Sequence, residues 1–187
     1  MREVVLYLQL SVDGRAEGPA GAMDWIRVDA DTWRVVGELQ ERADTALVGR
    51  VTYEQFLTHW PAVATDPAAS GGAASHARWL EATPKLVCSR TPHEPGWVNA
   101  RAVTDVVTEV KELCSRPGGD LLVLGGVELA RTLVAAGLVD EYRLLVNPRV
   151  LGGGRRLFPD VFPGTDLGQV SAEVFGSGVV SLRYRRG

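Results

Sequence analysis

The chain is poor in the residues that would tie it to most specialised classes. It has only two cysteines among 187 residues, Cys88 and Cys114, and no C-x-x-C. That excludes a disulfide-stapled scaffold and a zinc ribbon, and both thiols are expected to be reduced core residues. Three histidines, His59, His76 and His93, are far apart and show no ligand spacing, so no metal site is predicted. His59 and His76 are expected at the surface. Basic runs are missing too: 20 Lys and Arg stand against 23 Asp and Glu, a net charge of −3. This speaks against nucleic acid as the main partner. The one basic cluster, Arg183, Arg185 and Arg186, alternates as on the solvated face of a strand. No apolar run reaches membrane length. The N-terminal run, Val4 to Leu10, is too short for a signal segment or a span, which predicts a cytoplasmic protein without membrane contact.

What the chain does have is a series of short apolar runs, each followed by a turn and a helical pattern. The most pronounced is Asp120–Ala130. Leu121 to Leu124 read as a strand buried on both faces, Gly125-Gly126 as a tight turn, and Val127, Leu129, Ala130, Leu133 and Val134 as one face of a helix that stops at Gly137. Such a turn brings free helix N–H groups to an anion with no side chain in the way, although a tight strand-to-helix turn favours glycine without any ligand.

Val4–Leu10 reads as the first strand. The stretch from Ser11 to Met23 is rich in glycine and proline and is expected to be irregular, a candidate lid. Asp29-Ala30-Asp31 opens a helix that carries Trp33, Val36, Leu39 and Ala43. Either aspartate suits capping, or a carboxylate facing a pocket. Thr45–Val48 is the second strand, and Gly49-Arg50-Val51-Thr52-Tyr53 begins a helix that ends at Trp60-Pro61. Ala62–Ser75 reads as a flexible insertion, followed by a short helix at His76–Ala82. Lys85–Cys88 is a third strand ending in Ser89-Arg90-Thr91. A helix from Thr104, a strand at Tyr142–Val146, a glycine loop at Leu151–Pro159 and a hairpin of Gly168–Phe175 with Val179–Tyr184 complete the chain. The order is α/β, a mainly parallel sheet with an antiparallel finish, in one domain spanning 1–187. The turns at 49–52, 89–91 and 125–128 each follow a strand. In a parallel sheet they share one edge and converge on a phosphate-bearing ligand.

Several segments in order resemble a known family: Ser11-Val12-Asp13-Gly14, Met23-Asp24-Trp25-Ile26, Ala43 to Glu54, Pro84-Lys85 with Ser89-Arg90-Thr91, Leu124-Gly125-Gly126, Leu138 to Glu141, and Leu151 to Phe158. Together they resemble the dihydrofolate reductase-like superfamily, and within it stand-alone proteins similar to the reductase domain of the riboflavin-biosynthesis deaminase-reductase. The resemblance implies a dihydrofolate reductase-type fold of about eight strands, and NADPH as hydride donor. Gly49, Arg50 and Thr52 would hold its phosphates. Ser89, Arg90 and Thr91 would lie at the adenosine 2′-phosphate. Gly125, Gly126, Val127 and Glu128 would lie at the pyrophosphate. Asp29 or Asp31 is the implied catalytic carboxylate, with Trp25, Trp33 and Tyr53 as substrate contacts. The substrate would be a small planar N-heterocycle of pterin or pyrimidine type, and a homodimer is the expected assembly. The alternative is a nucleotide- or small-molecule-binding protein without catalysis. The zinc motif of the deaminase is absent from this chain, as is the Trp-x-x-Pro segment of dihydrofolate reductases.

Overall fold

The computed structural model describes residues 2–69, 71–161 and 164–187. Eight strands form one sheet: β1 Val4–Ser11, β2 Ala43–Gly49, β3 Lys85–Cys88, β4 Ala100–Val103, β5 Asp120–Val123, β6 Glu141–Asn147, β7 Leu167–Val174 and β8 Val180–Arg186. Their order is β4-β3-β2-β5-β1-β6-β8-β7. The first six of that order are parallel, and β8 and β7 add antiparallel to β6. The helices are α1 Ala30–Arg42, α2 Arg50–Thr65, α3 Gly71–Ala82, α4 Val106–Cys114 and α5 Val127–Ala135. Among the described residues no helix is long and apolar enough to cross a membrane.

The sheet is covered on both faces because its central strands are apolar on both. In β1, Val4, Leu6, Leu8 and Leu10 pack toward Val110 of α4 and Leu129 and Leu133 of α5. Val5 faces the other way, in a cluster with Val35, Leu39 and Leu80. Leu144 and Leu145 of β6 lie inside this core and offer nothing to a second copy. The exposed border is β7, where Val170 and Val174 meet solvent. The basic residues of β8 divide: Arg185 and Arg186 stay partly solvated, while Arg183 is drawn toward a buried partner. Arg183 makes a two-pronged pair with the fully buried Glu141, at 3.0 and 2.8 Å, and Arg185 and Arg186 pair with Glu3 and Asp140.

Three further expectations are corrected. Helix α2 runs through Pro61 to Thr65. Its last turn is held by the Thr65 hydroxyl on the Pro61 carbonyl and by Asp66 N–H on Ala62 O, both at 3.1 Å. The expected insertion at 62–75 (Ser70 lies outside the described residues) is instead the end of α2, a turn built on Asp66, and the start of α3. Its small residues serve packing rather than freedom. Ala74 and Ala77 are fully buried, and a β-carbon on Gly72 would overlap the Trp33 side chain. Helix α3 therefore settles close onto α1, which puts His76 in the interior and not at the surface.

Lys85 shows how the far end of α3 is finished. It is 1 % exposed, its Nζ donates to the carbonyls of Leu80 and Thr83, and it lies 4.7 Å from the centre of the Trp97 ring. Burial lowers its pKa. The ammonium satisfies helix-terminal carbonyls that water cannot reach. Lys85→Met removes those donors, and we expect a loss of about 2 kcal/mol. Urea unfolding would show it as a lower midpoint with an unchanged slope.

Candidate functional site

Strands β3, β2 and β5 are neighbours and parallel, so the turns after them lie side by side at the carboxyl edge of the sheet. Gly49 pairs in register with Cys88, which brings Ser89-Arg90-Thr91 next to Gly49-Arg50. On the other flank the double-glycine turn meets Gly49 directly: Gly49 N–H donates to Gly125 O at 3.2 Å. Gly125 and Gly126 have φ of +105° and +94°. A β-carbon on Gly126 would lie 2.8 Å from Gly49 Cα and 2.9 Å from Gly49 N, and one on Gly125 would lie 3.2 Å from Thr52 Cγ2. The contact needs glycine on both sides. It also sets the N-termini of α2 and α5 together, each with first-turn N–H groups that have no partner within the helix.

The side chains of these turns differ in what they can contribute. Arg50 is exposed, and its bond to Glu54 at 2.9 Å is an ordinary surface pair one helical turn away. Arg90 is exposed and has no side-chain partner among the described residues. The Ser89 hydroxyl accepts from Thr91 N–H at 3.2 Å and lies 3.3 Å from the Thr91 hydroxyl. Val127 is different: it is a core residue, 5 % exposed, and can offer a ligand only backbone. The Glu128 carboxylate is engaged by Arg131 at 2.9 Å and Arg155 at 3.4 Å.

Beside these turns the sheet opens. The ladder from β1 to β5 stops at Leu6–Val123, whereas the ladder from β1 to β6 continues to Ser11–Asn147. After Val123 the chain leans toward β2, with Leu124 N–H on Leu47 O at 2.9 Å. The result is a crevice between the diverging ends of β1 and β5, at the point where the strand order reverses. Along this stretch of β1, Leu8 and Leu10 lie on the α5 face of the sheet, and Tyr7 and Gln9 lie on the α1 face. Gln9 Nε2 donates to the Tyr7 oxygen at 2.9 Å. The buried Asn147 donates to Gln9 Oε1 at 2.8 Å and accepts from Arg27 N–H at 2.7 Å. Burial raises the Tyr7 pKa, so its hydroxyl stays protonated.

The stretch from Ser11 to Met23 borders this edge, but it is not irregular. It holds a bridge between Arg15 and Arg156 and a short turn of 3-10 helix at Pro19–Gly21. The glycine loop after β6 clasps it. The Asp13 carboxylate accepts from Leu151 N–H and Gly152 N–H, both at 3.0 Å, and these bonds, with one from the Ser11 hydroxyl, hold its pKa below the carboxylate range. Backbone bonds join Val12 to Arg149 and Ala16 to Arg155, each 2.8 Å, and Arg155 pairs with Glu17. A β-carbon on Gly154 would overlap the Glu17 carbonyl. Thus residues 152–154 form a turn, as their pattern predicts, and that turn is the seat of the 11–23 stretch.

The carboxylates and aromatic residues proposed for the substrate are placed as follows. Asp29 caps α1: Oδ1 accepts from Thr32 N–H at 2.8 Å and from its hydroxyl at 2.9 Å, and Oδ2 accepts from Ser177 N–H at 3.3 Å. Burial works to raise its pKa, but the bonds from Ser177 and Thr32 outweigh it and leave the pKa at about 2. Asp31 is half-exposed, 3.5 Å from Arg34. Trp25 lines a cleft between the end of the 11–23 stretch and the loop after β6, with its indole N–H on Ala22 O at 2.9 Å. Trp33 and Tyr53 are packing residues. Trp33 meets Trp60 edge to face at 6.3 Å, and Tyr53 is 3 % exposed with its oxygen accepting from Trp97 N–H at 2.8 Å.

The family model described as the RibD C-terminal domain matches residues 2–181 of this chain. The chain belongs to that family. Relatives of this RibD C-terminal domain protein include the uncharacterized protein YyaP of Bacillus subtilis, 33% identical over 188 residues, which cover 98% of this chain and 94% of that one. A pyrimidine reductase-like protein from Corynebacterium diphtheriae has a similar structure, with a TM-score of 0.71 at 14% identity, covering 100% of this chain and 92% of the other. Dihydrofolate reductase from Enterococcus faecalis, solved with NADP(H), aligns with a TM-score of 0.65 at 15% identity, covering 99% and 96%. The RibD C-terminal domain protein therefore has the dihydrofolate reductase-like fold, including the β8-β7 antiparallel border.

Proposed function

We propose that this chain is an NADPH-dependent reductase that passes hydride to a small, planar N-heterocycle of the pterin or pyrimidine type. The observation that carries the reading is the crevice between β1 and β5, set beside the interlocked Gly49 and Gly125-Gly126 turns. Two features of the turns suit a dinucleotide: backbone without side chains, and two helix N-termini aimed at one edge. The Enterococcus faecalis enzyme of the same fold was solved with NADP(H), which supports this choice of cofactor. NADPH, when bound, supplies the hydride; the protein supplies position and a dry site.

In this reading Gly49, Gly125 and Gly126 admit the pyrophosphate, flanked by Arg50 and Thr52. Ser89, Arg90 and Thr91 receive the adenosine 2′-phosphate, with Val127 and Glu128 contributing first-turn backbone. Tyr7 and Gln9 face the heterocycle. Asp29, with Asp31 beside it, acts as an orienting anion, because a carboxyl group with a pKa of about 2 holds no proton to donate at neutral pH. Trp25 borders the substrate from the lid, and Trp33 and Tyr53 support it from behind. The protein works in the cytoplasm as a homodimer, and the exposed edge of β7 is the surface for the second copy.

The engagement of Asp29 by capping bonds favours one second reading, a nucleotide- or small-molecule-binding protein without turnover. Titration of intrinsic tryptophan fluorescence with NADPH and NADH tests the cofactor. We expect Arg50→Ala and Arg90→Ala each to weaken NADPH roughly tenfold, with Arg90→Ala also narrowing the preference over NADH. Wild-type protein that binds neither nucleotide sinks the reductase reading. NADPH that binds but is never oxidised across a panel of pterins and pyrimidines selects the second one.

A further inference from the structure

Asn147, the last residue of β6, is fully buried, and two main-chain groups decide which way its amide faces. The Arg27 N–H can only donate, and it is bonded to Asn147 Oδ1 at 2.7 Å. The Leu145 carbonyl can only accept, and Asn147 Nδ2 donates to it at 3.2 Å. The amide cannot turn over without losing both bonds. Nδ2 also donates to Gln9 Oε1 at 2.8 Å, and this fixes the second amide in turn. Gln9 Nε2 then faces the Tyr7 oxygen at 2.9 Å and donates to it. The Tyr7 hydroxyl, kept protonated by burial, accepts from Gln9, so its own proton is left over. Among the described residues that proton has no acceptor.

We propose that the chain of bonds from Arg27 through Asn147 and Gln9 makes Tyr7 a hydrogen-bond donor to the crevice, and so selects heterocycles that present a carbonyl oxygen or an unprotonated ring nitrogen to β1. Tyr7 determines the specificity, and Gln9 and Asn147 are positioning residues that act through it. This rests on the reading that Tyr7 and Gln9 face the heterocycle, and adds to it the sense of one hydrogen bond. An amino group offered at the same place would set donor against donor. That costs more than a missing bond, because two polar groups are then left unpaired. A polar contact of this kind rejects the wrong partner more strongly than an apolar wall does.

The test compares two fluorescent probes on the full chain with NADPH present: pterin, and diaminopteridine, in which an amino group replaces the oxo group of pterin. The readout is the ratio of their dissociation constants. Tyr7→Phe should weaken pterin roughly tenfold and leave diaminopteridine no weaker. Gln9→Glu should shift the ratio further toward diaminopteridine. A carboxylate at position 9 accepts from both Asn147 and Tyr7, and the Tyr7 lone pairs then face the crevice. Asn147→Asp should act in the same direction, since the Gln9 amide must turn its NH2 group to the new carboxylate. A carboxylate at the buried position 147 threatens the fold, whereas Gln9 is partly exposed, so Gln9→Glu decides the matter by itself. A merely structural role would weaken both probes alike. In the double variant, Tyr7→Phe with Gln9→Glu, the ratio should equal that of Tyr7→Phe alone, because the polarity acts through Tyr7. Wild-type protein that binds neither probe overturns the crevice reading and this inference with it. Probes that bind with one ratio in the wild type and in Gln9→Glu overturn the inference alone. So does a shift that persists in the double variant, which belongs to the added charge and not to Tyr7.

Discussion

Gly126→Ala is expected to cost about 4 kcal/mol of stability and to remove NADPH binding altogether. Two costs add. The backbone at Gly126 is in the left-handed half of conformational space, with φ +94°, where a β-carbon is penalised by about 1–2 kcal/mol. That carbon would also sit 2.8 Å from the α-carbon of Gly49, a backbone atom that cannot rotate away, and overpacking of this kind costs about 1–3 kcal/mol. Relief requires the turn after β5 to move off the turn after β2. The N-termini of α2 and α5 then separate, and the anion site they form together comes apart. Denaturant unfolding reads the first effect, and fluorescence titration with NADPH the second. Gly152→Ala is the matched control: its φ is +68° but nothing lies within 4 Å of the added carbon, so it should carry only the conformational cost and leave NADPH binding intact. If Gly126→Ala keeps wild-type affinity, the paired turns are not the pyrophosphate site.

Much of the fold was legible because buried parallel strands announce themselves as short apolar runs. Val4–Leu10, Lys85–Cys88 and Leu121–Leu124 read correctly within a residue or two of the observed strands β1, β3 and β5. Their helices follow at turns whose glycines break the pattern. What failed was the meaning of small residues. Alanine and glycine from 71 to 77 look like loop composition, yet here they let α3 lie close on Trp33. Composition does not tell a small residue that permits motion from one that permits contact. The partner is on another helix, nearly 40 residues away in the chain.

The site shows the same division. That Gly49, Arg50, Thr52 and Gly125-Gly126 share an edge follows from the strand order alone. That two of these glycines touch each other backbone to backbone does not, since it depends on the register of β2 against β5. Nor could the clasp on the 11–23 stretch be read in advance. Asp13 is one polar residue in a glycine-rich stretch, and its partners, Leu151 and Gly152, are backbone groups that no side-chain pattern records. The tip of the β7–β8 hairpin was missed as a neighbour of α1 for the same reason: Ser177 reaches Asp29 through its N–H. In each case the sequence signal that existed was a glycine or an aspartate beside a turn, and the bond it makes is to main chain.

His76 should make the fold sensitive to acid in a narrow window. The ring is 6 % exposed, packed against Trp33 of α1 and Phe56 and Trp60 of α2. The Gln40 amide nitrogen lies 2.6 Å from His76 Nδ1. An amide N–H only donates, so Nδ1 is the acceptor and the proton of the neutral ring is on Nε2. Burial lowers the pKa from 6.5 to about 4. The unfolded chain therefore takes up a proton near pH 6.5 that the folded chain refuses until about pH 4. Stability from this group is complete above pH 6.5 and is lost as the pH falls to about 4. The shift of about 2.5 units corresponds to roughly 3 kcal/mol. Protonation would also turn Nδ1 into a donor facing a donor. Asp29, with its pKa of about 2, titrates below this window. Urea unfolding at pH 7.5 and pH 4.5 should show most of the loss in the wild type, whereas His76→Gln, which can still bond to Gln40, should start less stable at pH 7.5 and lose far less on acidification. An equal loss in the two proteins would mean that another group carries the acid response.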